Sequence, residues 1–99
     1  MDNIVAEQFS LTPAIKAFVN MNIFRLRALL PEDASVNVFL SEPAEHRFTV
    51  LLKVRSRGQD LTARESSENL FQALNTARNH LQRRIVAQHD YAISERRTA

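Results

Sequence analysis

The sequence predicts an α+β domain of order β-α-β-β-β-α, in which a four-stranded, mostly antiparallel sheet carries two helices packed on one face. Three observations predict it. Apolar residues recur at helical spacing in one stretch near the start and another near the end. Between them, residues 35–64 alternate apolar and polar side chains, with turn residues at two points. The length of 99 residues suits a single core shared by one sheet and its helices.

Each element has a local reason. Ile4 to Leu11 forms a short first strand. Thr12-Pro13 starts a helix, the threonine hydroxyl capping it and the proline filling the first helical position, where a missing N–H costs nothing. The first helix runs from Pro13 to about Leu30, with Ile15, Val19, Ile23, Leu26 and Leu30 as its buried stripe, and Pro31 ends it. Ser35 to Ser41 is a half-buried strand with Val36, Val38 and Leu40 inward, and Glu42-Pro43-Ala44-Glu45 is a turn. Arg47 to Ser56 alternates again. Phe48, Val50, Leu52 and Val54 point inward, and Arg47, Thr49, Leu51, Lys53 and Arg55 point outward. Arg57-Gly58-Gln59 is the next turn, using the only glycine, and Gln59 to Arg64 forms the last strand with Leu61 and Ala63 inward. Ser66 or Ser67 caps the second helix, and Glu68 lies in its first turn. Leu70, Leu74, Ala77, Leu81 and Ile85 form its buried stripe, and the helix reaches at least Gln88. The domain is expected to span residues 1–90, with residues 91–99 as a frayed tail. Because the first strand enters through a helical crossover, parallel pairing to a neighbour is open to it.

Composition excludes several function classes. There is no cysteine, hence no disulfide and no thiolate metal site. No apolar run approaches the roughly 20 residues of a membrane helix, and the start Met1-Asp2-Asn3 lacks the layout of a secretory signal. The chain is expected to be cytoplasmic, with neither membrane nor small-molecule substrate as partner. No nucleotide-binding glycine loop and no nucleophile elbow are present. His46, His80 and His89 lack metal-ligand spacing, and the carboxylates are scattered through turns and helix ends. No catalytic residue, metal or cofactor is therefore expected.

Charge is uneven. The net charge is +2, but residues 1–46 hold three basic and six acidic residues, whereas residues 47–99 hold ten basic and five acidic ones. Such asymmetry points to a polyanionic partner such as nucleic acid.

Several local motifs, in this order, resemble the ribosome hibernation-promoting factor and ribosome-associated inhibitor family in its short, single-domain form. They are Asn3-Ile4, then Leu11-Thr12-Pro13-Ala14-Ile15-Lys16, then Val19, Ile23, Arg25 and Leu26. In the last helix they are Ala73-Leu74, Leu81, Arg83 and Ile85. The resemblance spans Asn3 to about His89. It implies a protein that binds the small ribosomal subunit and its rRNA in the channel used by messenger and transfer RNA, promoting hibernation of idle ribosomes. It also implies a chain without the extra C-terminal domain of the long forms. Basic side chains against ribosomal RNA phosphates would carry the binding, because arginine forks grip phosphate bidentately and each contact releases counterions. The candidate RNA-binding residues are Lys16, Arg25 and Arg83 at family-like positions, Arg47, Lys53 and Arg55 on the outer sheet face, Arg57 in the following turn, and Arg78 and Arg84 flanking the second helix's stripe. Together they are expected to form one RNA-facing surface.

The sequence also departs from the family pattern. His80 and Ala87 stand where the family's second helix carries a lysine-rich run, Asn69-Leu70-Phe71 replaces an aspartate-aromatic entry, and Asn22 replaces a basic residue. Ala17, Met21, Phe24 and Ala28 form a second apolar stripe on the first helix, roughly opposite the buried one and at positions polar in the family. That face is expected to pack against another copy or a partner protein. The alternative to ribosome binding is accordingly an interaction module, homodimeric through the first helix, that kept the fold and lost the ribosome. A double-stranded-RNA-binding domain of another kind fits less well, since it has no counterpart for the leading strand.

Overall fold

The structure, a computed structural model, describes the backbone of residues 2–7 and 9–98 and side chains as far as Ala87. Its elements follow the expected order: β1 (Asn3–Glu7), α1 (Pro13–Arg27), β2 (Ser35–Ala44), β3 (Arg47–Ser56), β4 (Gln59–Ser67) and α2 (Leu70–Thr98). The sheet is ordered β1-β2-β3-β4. β1 pairs parallel to β2 because α1 carries the chain back to the sheet's starting end, and the other two pairings are antiparallel.

The inward residues of the alternation build the core. Val36, Val38, Leu40, Val50, Leu52 and Val54 are buried under the helices, with Ala63 from β4. They meet Val19, Ile23 and Leu26 of α1 and Leu70, Ala73, Leu74, Ala77, Leu81 and Ile85 of α2. Ile15 and Leu30 are half-buried at its edge. Two edge-on aromatic pairs close the ends of this layer, Phe18 on Phe71 at 4.7 Å and Phe9 on Phe48 at 6.0 Å between ring centroids.

Several boundaries differ from those the sequence predicts, each for a local reason. β1 stops at Glu7, short of Leu11. α1 ends at Arg27, not Leu30; Ala28 N–H bonds back to the Phe24 carbonyl, and Leu29 and Leu30 close tighter turns ahead of Pro31. Residues 42–44, expected as a turn, continue β2 with an irregular register between Ser41 and Ala44, where Pro43 has no N–H to give to a ladder. The chain reverses instead at Glu45-His46, with His46 at φ 56° and its N–H donating to Glu42 Oε2 at 3.2 Å. β4 runs on to Ser67, so Ser66 and Ser67 are strand residues and Glu68 precedes the helix. Asn69 caps α2, its Oδ1 accepting from the N–H groups of Phe71 and Gln72 at 3.0 and 3.3 Å. The backbone of α2 is helical to Thr98, past the minimum extent of Gln88 expected from the sequence. The side chains of the expected tail, residues 91–99, lie outside the described residues.

Candidate nucleic-acid interface

The sheet has one covered face and one open face, and its register decides what the open face presents. Four cross-strand rows lie there. In order along the strands they are Ser35-Arg55-Asp60, then Asn3-Asn37-Lys53-Thr62, then Val5-Phe39-Leu51-Arg64, then Glu7-Ser41-Thr49-Ser66. Arg47 lies beyond the last row, opposite Ala44. The alternation of β3 thus brings Arg47, Lys53 and Arg55 to one face, as expected.

Asp60 is the acid nearest the first two rows, 4.0 Å from both Lys53 Nζ and Arg55 Nε. At that separation, with all three side chains substantially exposed, the pairs hold neither cation firmly. Arg57 and Gly58 form the two-residue turn between β3 and β4 at φ 54° and 76°, the sign a type I′ turn needs at both positions. The turn places the exposed Arg57 side chain at the end of the sheet, next to Arg55.

The remaining candidate cations belong to the helical side of the sheet or to its edge. Lys16, Arg25 and Arg83 are exposed on the helices, with no carboxylate within 4.0 Å among the described residues. Arg84 donates from Nη1 to the Thr62 carbonyl at 2.6 Å, using an acceptor on the outer strand of the sheet. Arg78 is placed differently from the solvated arginine that the spacing suggests. It is only 8% exposed. Its Nε donates to Asn22 Oδ1 at 2.6 Å and its Nη1 to Gln82 Oε1 at 2.8 Å, while Asn22 Nδ2 donates to the Phe18 carbonyl at 3.0 Å. Burial, and then the nearby Arg25 charge, lower the Arg78 guanidinium below its usual pKa. Arg78 therefore ties α2 to α1. The candidate cations form two groups on opposite sides of the sheet rather than one surface.

The apolar stripe is on the surface as expected. Ala17 and Ala28 are exposed, Met21 is 44% exposed and Phe24 74%. Lys16 and Arg25 border it on opposite sides, and α1 contains no acidic residue.

Sequence reasoning missed two residues, Phe39 and Arg64. Both point outward from strands whose inward residues alone were read. Phe39 is 39% exposed in the middle of the open face, and with Val5, Leu51 and Arg64 it lines a shallow concavity of about 330 Å³, rimmed by Ser41, Thr49 and Glu7. A signal was present, since alternation that buries Val38 and Leu40 must expose Phe39. Among the described residues, no three of His, Asp and Glu come together to hold a metal ion, and no helix is long and apolar enough to cross a membrane.

The sequence profile of the "Sigma 54 modulation protein / S30EA ribosomal protein" family matches residues 3–92, nearly the whole chain. The chain belongs to this family. The fold is similar to that of the Protein Y N-terminal domain of Thermus thermophilus, with a TM-score of 0.75 at 20% identity over 84% of this chain and 91% of that one. It is similar also to a ribosomal subunit interface protein from Coxiella burnetii, with a TM-score of 0.76 at 12% identity over 91% and 99% of the two chains. No curated protein sequence matches significantly. Membership bears out the resemblance carried by the motifs of the first helix and of the last one.

Proposed function

We propose that this protein binds the small ribosomal subunit on its rRNA, in the channel used by messenger and transfer RNA, and so inhibits translation and promotes hibernation of idle ribosomes in the cytoplasm. The observation that carries the reading is membership of the S30EA family over residues 3–92. The chemistry of the surface supports it. Lys16, Arg25 and Arg83 are exposed on the helical side with no carboxylate within 4.0 Å among the described residues, which leaves them available to phosphates. Arg47, Lys53, Arg55 and Arg57 offer a second cationic track on the open sheet face, where such side chains meet the phosphates of an RNA backbone. The reading needs neither cofactor nor catalytic residue.

Sedimentation through a sucrose gradient tests it. The protein is expected to co-migrate with small subunits or whole ribosomes at low salt and to be released as salt screens the phosphate contacts. Protein that stays at the top of the gradient at low salt would overturn the reading.

The stripe of Ala17, Met21, Phe24 and Ala28 supports a second, compatible role as a protein contact, with a second copy or a partner protein as occupant. A second copy would bring Lys16 and Arg25 against like charges, since α1 offers no carboxylate to meet them, so a partner surface with acidic residues around an apolar centre fits better.

A further inference from the structure

We infer that the open face of the sheet binds single-stranded RNA by stacking an unpaired base on Phe39. The inference rests on the reading that the chain works on RNA, and adds a ligand class and a site to it.

The order of the rows carries the argument. Phe39 lies at the centre of the face, between the aliphatic side chains of Val5 and Leu51, with Arg64 next in the same row. An exposed aromatic ring on the middle of a sheet whose other side carries the helices is the arrangement with which RNA-recognition sheets stack bases. The concavity of about 330 Å³ beside it gives a flat ring room to enter. The arginine is matched to the same ligand, because a guanidinium plane stacks on a base as well as it pairs with a phosphate.

The neighbouring rows differ in a way that suits a nucleotide's two ends. On one side of Phe39, about 7 Å along the strands, is the row of Lys53, followed by that of Arg55, where the sugar-phosphate backbone would run. On the other side is the row of Ser41, Thr49 and Glu7, all acceptors and two of them also donors, which meet the hydrogen-bonding edge of a base. Thr49 and Ser66 already share a hydrogen bond of 3.0 Å, which fixes their hydroxyls on this face. Glu7 would repel a phosphate in its own row, and so favours the orientation with the backbone over Lys53 and Arg55. A base inside a duplex has both ring faces covered by its stacked neighbours, so the site selects unpaired, unstacked RNA over duplex.

The test uses the full chain with a fluorescent oligonucleotide of uracil and cytosine, which cannot pair with itself, and an RNA duplex of the same length at the same salt. The single strand is expected to bind more tightly, and F39L, which keeps an apolar side chain but lacks a ring face, to weaken single-strand binding by roughly tenfold while changing duplex binding by less than about twofold. Since the chain has no tryptophan, F39W supplies a single reporter whose emission should be quenched by the single strand and not by the duplex. Circular dichroism establishes that both variants are folded. Equal affinity of F39L and the parent for the single strand, no binding of it by the parent, or an F39W emission that saturating single strand leaves unchanged would overturn the inference. Ribosome co-sedimentation separates the two claims. Parent protein that co-sediments while F39L binds the single strand normally removes the stacking site alone, whereas parent protein that fails to co-sediment removes the ribosomal reading.

Discussion

Arg78 shows how far a single residue can depart from its sequence position. On a helix it flanks the apolar stripe, as a solvated arginine would, and nothing in the local pattern announces a partner. That partner is Asn22, 56 residues away, and only the packing of α1 on α2 brings the two together. A buried cation persists when its donors are satisfied, and here the amide of Asn22 and the amide of Gln82 satisfy two of them. Removing one partner strands the other. N22A leaves a buried guanidinium donor without an acceptor, and R78A leaves the Asn22 carbonyl oxygen without a donor; each is expected to cost about 2–3 kcal/mol in urea denaturation. The double substitution N22L/R78L removes both polar groups and fills their space, so it should be less destabilised than the sum of the two single losses. A loss below about 0.5 kcal/mol for R78A would mean that the contact holds nothing. Asn22 itself explains a departure from the family pattern, since a basic residue there would face Arg78 and repel it.

At the level of elements, alternation and helical spacing were the legible signals, because burial enforces them over many residues at once. They placed every strand and helix in order, and they placed Arg47, Lys53 and Arg55 on one face. Helix and strand ends were less legible, because one hydrogen bond decides each of them. Ser66, Ser67 and Asn69 are all good caps by type, and the choice fell to Asn69 because β4 keeps the two serines in its ladder with β3. N69A is accordingly expected to cost about 1 kcal/mol and S66A distinctly less, both read by thermal denaturation; the reverse ranking would return the cap to the serines. α1 carries the other prediction at this scale. Its outer stripe has no partner among the described residues, and Phe24, at 74% exposed, is its most exposed large side chain. F24E should leave the fold intact and abolish any self-association or partner binding seen by sedimentation velocity with the parent protein. A complex that forms equally well with F24E would place the contact elsewhere.

Across the whole molecule, the question is which cationic side meets the ribosome, because a sheet with helices on one face cannot turn both sides to one RNA surface at once. Charge patterning along the chain showed that cations are in excess after residue 46, but not that the sheet would divide them. Lys53 and Arg55 occupy the open face, whereas Lys16, Arg25 and Arg83 project from the helices. The number of phosphates neutralised can be counted from the salt dependence of binding, because each contact contributes about one unit to the slope of log affinity against log salt. An R47A/K53A/R55A variant should reduce that slope by roughly three units if the open face carries the contact, and a K16A/R25A/R83A variant should do so if the helical face carries it. Neither triple changes a buried residue, so both variants should fold, and Arg78 is kept in place because its loss would confuse stability with binding. A wedge held between RNA on two sides would lose slope with both triples, each by a smaller amount. Unchanged slopes in both variants would mean that the ribosome is held by something other than these side chains, and the protein contact at Phe24 would then become the first place to look.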